Sequence, residues 1–154
     1  MSDVCAIARW VAAAIMPTPD GRYLMQLRDP IPTILLPDHW AFFGGSIDPG
    51  ETAEAALRRE LMEELEYRAG TVEFFSELLI RLPLPTPRTD RMSFFVAPIE
   101  APEVAAMVQH EGADRRLFTA EALAAEPRVA PWDLAMVLMH RRRSALFASP
   151  PATS

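Results

Sequence analysis

Glu60, Glu63 and Glu64 stand at i, i+3 and i+4 in an alanine-rich stretch, TAEAALRRELMEELEY, that begins at Thr52. At about 100° per residue, a helix gathers all three into an arc of roughly 100°. Like charges so placed repel by roughly 0.2–0.5 kcal/mol per pair, so they do not help the helix. A hard divalent cation reverses that sign, and carboxylate and carbonyl oxygens suit Mg²⁺ or Mn²⁺ rather than zinc. Glu51, just ahead of the helix, is spaced to pair with Arg59 and hold the preceding loop against it. Gly44-Gly45 and Pro49-Gly50 let that loop fold back toward the acidic face. Standing alone, a Glu-Glu pair on such a helix is an ordinary solvated face.

These groups need a scaffold, and the chain supplies one. The helix is expected over 52–66, with Thr52 as its cap and Ala53, Ala56, Leu57 and Leu61 as its apolar stripe. Residues 6–16 are apolar and end in the turn run Pro17-Thr18-Pro19-Asp20-Gly21; with 22–28 they read as a β-hairpin. A short strand is expected at 39–43, ending at the two glycines. Strands are expected at 71–82 and 91–99, joined by a proline-rich loop at 83–90. A short strand at 115–118, a capped helix from Thr119 and a long helix from Pro131 to about 147 follow. The length suits one domain, 1–154, frayed from about 149.

Composition removes whole classes of chemistry. All 15 fixed cations are arginine, so there is no Schiff-base lysine, P-loop lysine or Ser-Lys dyad. The net charge of -6 disfavours nucleic acid as a partner. One cysteine, Cys5, excludes a disulfide framework within the chain and suits the cytoplasm. The apolar stretch at 4–16 is too short to span a bilayer and carries Arg9, so no membrane role is expected.

Gly45, five residues, Glu51, seven residues, then Arg59-Glu60-Leu61-Met62-Glu63-Glu64 resembles the signature of the Nudix (MutT-like) hydrolases. The resemblance implies an α/β fold, a Nudix-type α/β/α sandwich with a mixed β-sheet between helices. It implies a metal-dependent pyrophosphohydrolase that cleaves a nucleoside diphosphate linked to another group, by water attack on phosphorus. Glu60, Glu63 and Glu64 would be the catalytic metal ligands. A backbone carbonyl from Gly44-Gly45 and a later glutamate, Glu111, would join them. Glu60 is favoured over Glu111 as general base, and Glu51 and Arg59 would be scaffold. The pattern departs at Glu66, where the family has glycine, so the helix is expected to run on toward Gly70. It departs again at Phe43, where many members have proline.

For the nucleotide itself, Arg28 is expected near the phosphates, with Arg81, Arg88 and Arg91, which flank the proline-rich loop, reaching phosphate or sugar. Trp40, Phe42 and Trp132 are candidates to stack on a base. Asp133 is placed to read a purine edge, a role left open by the absence of asparagine. The alternatives are a nucleotide-sensing module without catalysis, an isomerase of small diphosphates and an mRNA-decapping enzyme. The intact carboxylates, the remote single cysteine and the net negative charge argue against these in turn. A homodimer is compatible with the resemblance.

Overall fold

The computed structural model describes residues 6–146, and within it strand β1 (Ile7–Ile15) is the central scaffold. It pairs parallel with β6 (Arg88–Val96) and antiparallel with β4 (Phe43–Ser46). Strand β5 (Glu73–Leu82) closes the far side, giving a mixed sheet of order β4-β1-β6-β5. A smaller antiparallel sheet holds β2 (Tyr23–Leu27) between β3 (Trp40–Ala41) and β7 (Asp114–Phe118).

Side chains along β1 alternate between two apolar layers, as strand geometry requires. Ala12 and Ala14 point into a cluster with Leu57, Leu61 and Leu65 of helix α1 (Ala53–Leu65). Ala13 and Ile15 join Met25, Phe94, Leu123, Met136 and Val137 on the opposite side. That side is covered by α3 (Ala120–Ala125) and α4 (Pro131–Arg142); α2 (Ala101–Ala106) lies between β6 and β7 in the chain. The expected α/β sandwich with a mixed sheet between helices is thus the observed one. Truncating Leu57 or Leu61 would open a cavity costing about 2–5 kcal/mol.

Three expectations are corrected. Residues 6–28 form a hairpin turn but no hairpin. Thr18 N–H donates to Arg22 O (2.8 Å) and Leu24 N–H to Met16 O (3.0 Å), after which the strands part into different sheets. Both edges of β1 are already taken by β4 and β6. The helix does not continue toward Gly70. Glu66 ends it with φ 50°, a left-handed conformation uncommon outside glycine. The stop is enforced from outside: Val108 N–H donates to Leu65 O (3.0 Å) and His110 N–H to Glu64 O (2.8 Å), satisfying carbonyls that a longer helix would have used. The loop between β5 and β6 ends at Pro87 rather than Asp90, because β6 opens at Arg88, while the final helix passes from α4 into a 3-10 turn over Arg143–Leu146. Cys5, Phe147 and the tail from 149 lie outside the described residues. No described helix is long and apolar enough to cross a membrane.

Candidate active site

Thr52 caps α1, its hydroxyl accepting from Ala55 N–H (3.1 Å). With the apolar stripe of α1 seated on β1, the acidic side of the helix meets strand β4. Glu64 is only 4% exposed, and its Oε2 accepts from Gly44 N–H (3.0 Å). Glu60 lies against Gly45, where a Cβ would fall 2.4 Å from its carboxyl carbon. At Gly44 a Cβ would meet Ala12 O at 2.1 Å, and φ is +138°. Gly44 is therefore demanded by close approach to the backbone of β1, whereas a side chain at Gly45 would displace the Glu60 carboxylate from its place. Both glycines lie inside β4, which runs on to Ser46, instead of ending the strand as expected.

Arg59 organises the other charges. It grips Glu51 with Nε to Oε1 and Nη2 to Oε2, both at 3.0 Å, and Nη2 also donates to Ser46 O (3.0 Å). Nη1 reaches Glu60 (2.9 Å) and Glu63 (3.3 Å). Glu51 Oε2 in turn accepts from Asp48 N–H (3.1 Å), so one guanidinium ties helix, strand and loop together. The Glu51 carboxyl is held below its usual range, chiefly by this bond to Arg59.

Burial pushes the Glu64 carboxyl up to about 8, aided by the charges of Glu111 and Glu60 and opposed by Gly44 N–H and Arg28. Glu60 is also raised, by burial first, against the pull of Arg59. Glu111 reaches this neighbourhood because its loop is stitched to the end of α1 through Val108 and His110. Among the described residues, no three His, Cys, Asp or Glu side chains converge into a finished ligand set. The carboxylates are instead held apart, on Arg59 and on Gly44 N–H. Glu63 projects furthest, its side chain 59% exposed. The donors are all oxygen and one is buried with like charges around it, a combination that fits a hard cation.

On the other side of β4 lies a cavity of about 120 Å³. Arg28, Phe42, Trp132 and Asp133 line it together with Gly44 and Gly45. Asp133, only 3% exposed, accepts from Phe42 N–H at Oδ2 (2.9 Å). Its Oδ1 is buried with no hydrogen-bond partner among the described residues. Burial pushes this carboxyl up to about 7, against Phe42 N–H and the charge of Arg28. Helix α4 reaches the cavity because Trp40 bridges Val129 just before it: Trp40 N–H donates to Arg128 O and Ala130 N–H to Trp40 O, both at 2.8 Å. Arg28 anchors its Nε on Leu35 O (2.8 Å), and no carboxylate ion-pairs with it among the described residues.

Trp40 and Arg81, both expected at the substrate, are not among the residues that line this cavity. Trp40 is a core residue, packed edge-on against Phe118 at 4.8 Å with Arg116 over its ring. Arg81 sits between Ile80 and Leu82, which line the cavity, so strand alternation turns it to the other face. Arg88 pairs with Asp90, and Arg91 pairs with Glu77 and stacks on Trp10. Gln26 was missed by sequence reasoning. It is buried, and its Nε2 donates to Phe42 O (3.0 Å), completing the satisfaction of Phe42 where the chain passes from one sheet to the other. A polar residue inside the apolar run YLMQL was the available signal.

Fold and site together define a Nudix-type domain, and comparison with known proteins agrees. A family model described as the NUDIX domain matches residues 8–139, and the chain belongs to that family. A nucleoside triphosphatase NudI from Enterobacter sp. (strain 638) is 56% identical over 34 residues, 22% of this chain and 24% of that protein. The match to its Escherichia coli counterpart covers 32% of that protein, so this chain spans a quarter to a third of the curated relatives it matches. Among solved structures, the E. coli ORF135 protein is 27% identical with a TM-score of 0.67, covering 94% of each chain. A MutT protein from Methanosarcina mazei Go1 is 15% identical with a TM-score of 0.74, covering 88% of this chain and 94% of that one, a likeness of fold.

Proposed function

We propose that this protein is a Mg²⁺- or Mn²⁺-dependent pyrophosphohydrolase acting on a small nucleotide, a nucleoside triphosphate or a sugar nucleotide. The observation that carries the reading is the buried Glu64 carboxylate, flanked by Glu60 and Glu111 and held on the glycine strand beside a cavity. Glu60, Glu63 and Glu64, with Glu111 and a carbonyl of Gly44 or Gly45, are the residues that would hold the cation. Bound there, the cation supplies the positive charge that lets a polyphosphate approach an acidic surface.

The chain's own groups account for the rest. Glu60, its proton affinity raised by burial, takes the proton of the attacking water. Arg28 faces the phosphates from the cavity wall. Phe42 and Trp132 flank the base, and the free oxygen of Asp133 addresses its edge. A volume of about 120 Å³ is well below the roughly 300–1,000 Å³ of a pocket enclosing a whole ligand. It therefore receives the base end alone, with the phosphates outside over α1. The single cysteine suits a reducing compartment, and we place the activity in the cytoplasm.

The test is a panel of nucleoside triphosphates and sugar nucleotides with Mg²⁺ and with Mn²⁺, read by product mass in ¹⁸O-water, beside the Glu63→Gln variant. Metal-dependent cleavage to a nucleoside monophosphate and a second phosphate product, with one ¹⁸O in one of the two and lost in the variant, supports the reading. Nucleotide binding without turnover, unchanged in the variant, would establish the sensing module instead.

A further inference from the structure

A second cavity, of about 730 Å³, lies between the start of β5, the end of β6 and the end of α4. That is within the roughly 300–1,000 Å³ of a pocket that encloses a small molecule. Among the described residues, none of α1 or β4 lines it, so it is separate from the acidic site. Tyr23, Phe75, Val96 and Ile99 give it apolar walls. Phe75 owes its place to a break in register. Phe74 pairs with Phe95 and Ser76 with Phe94, so Phe75 is an extra residue on β5. A bulge of this kind re-aims one side chain, and the Phe75 ring stands 5.7 Å from that of His140.

His140 lines this cavity and is only 3% exposed. Its Nδ1 lies 2.9 Å from Tyr23 Oη and 3.3 Å from Arg143 Nη1. A guanidinium can only donate, so Nδ1 accepts and the ring proton sits on Nε2. Burial, with the charge of Arg143, pushes this imidazole down to about 4, so the ring is neutral near pH 7. Nε2 is buried with no hydrogen-bond partner among the described residues, although buried donors are ordinarily paired. The charges at the cavity also leave a surplus. Arg141 is taken by Glu121 (2.6 Å), Asp20 by Arg22 (2.7 Å), and Glu100 stands at the cap of α2. Glu73 is exposed at the rim. Arg143 donates to His140 O (2.6 Å) and meets no carboxylate among the described residues. The charges that bear on Tyr23 are those of Arg143 and Arg141, so this end of the cavity is positive. We propose that the cavity binds a flat aromatic carboxylate, its ring against Tyr23 and Phe75 and its carboxylate taken by Arg143 and His140 Nε2–H. Such a ligand brings the acceptor that Nε2–H lacks and the counter-charge that Arg143 lacks.

Calorimetric titration of the full chain with indole-3-carboxylate tests this, beside indole-3-carboxamide as its uncharged counterpart. The carboxylate should bind once per chain with a Kd below about 1 mM, and the amide about tenfold or more weakly. Arg143→Gln and His140→Phe should each weaken the carboxylate by about fivefold or more. Arg28→Gln, in the other cavity, should leave its binding unchanged. Thermal melts confirm that the variants fold, and the exposed Arg143→Gln carries the test if His140→Phe, which strands the Tyr23 hydroxyl, does not. Binding is the readout, so the outcome is independent of whether the chain turns over a nucleotide. An absence of saturable binding up to about 10 mM overturns the proposal. So does equal binding of the amide, or binding that Arg143→Gln leaves intact. Loss on Arg28→Gln instead would place the carboxylate in the substrate cavity and overturn it equally.

Discussion

Glu64 and Asp133 grip the same short stretch of chain from two directions. Glu64 accepts from Gly44 N–H and Asp133 from Phe42 N–H, two residues apart, and burial raises both carboxyls. Their surroundings differ. Glu64 stands among Glu60 and Glu111, and those like charges add to its rise. Asp133 has no acidic neighbour of that kind, only Arg28 nearby and one oxygen without a partner. Burial alone does not assign a role. A crowd of carboxylates asks for a cation, whereas a solitary buried one with a vacant oxygen asks for a hydrogen-bonding ligand.

The largest test of that contrast is Glu64→Gln. It retains an acceptor for Gly44 N–H but removes the charge. Metal-dependent turnover should fall on the order of 10³-fold, about 4 kcal/mol of transition-state stabilisation. The metal-free fold should lose no stability, as a thermal melt would show. A variant with wild-type kcat would remove Glu64 from the site.

Asp133→Ala should act in the opposite sense. Leaving Phe42 N–H buried without an acceptor costs about 1–3 kcal/mol of stability. It should raise KM about tenfold while leaving the Mg²⁺ dependence of turnover unchanged. Asp133→Asn should recover the stability and shift the preference among bases in the substrate panel. A change in metal affinity instead would merge the two regions into one.

The pH dependence is smaller and separates the pair by ligand. Glu64 has an ordinary value of 4.5 and a folded value of about 8. Between those limits the folded state holds a proton that the unfolded state has released, so metal-free stability falls as pH rises through this window. Asp133 adds the same slope between 3.8 and about 7. Saturating Mg²⁺ should flatten the Glu64 contribution by favouring its ionised form, and leave that of Asp133. Denaturant melts from pH 5 to 8.5 with and without Mg²⁺ read this directly.

The smallest effect is expected at Glu66→Gly, outside both regions. Relieving a left-handed residue should gain about 0.5–1 kcal/mol, partly offset by loss of the exposed contact with His110 (2.6 Å). Turnover should not change.

What could be read in the sequence was whatever the chain arranges locally. The spacing of Glu60, Glu63 and Glu64 already sets one side of a helix, and Glu51 with Arg59 lies within two turns of it. Gly44-Gly45 announced a close approach, though not that one glycine answers to Ala12 and the other to Glu60. Trp40 and Trp132 were indistinguishable as residue types; one packs on Phe118 and the other lines the cavity, and only the fold separates them. The stop at Glu66 was misread because it depends on backbone donors about forty residues later in the chain.

The sequence by itself therefore determined the acidic helix, its cap and its apolar stripe, since these follow from a 3.6-residue period and short-range pairing. The tertiary structure decided which strands are partners, that Glu111 arrives beside Glu64, and that Phe42 is held between Gln26 and Asp133. Those contacts join residues 16 to 91 positions apart. No local pattern encodes such pairs; they follow from burying both faces of β1 at once.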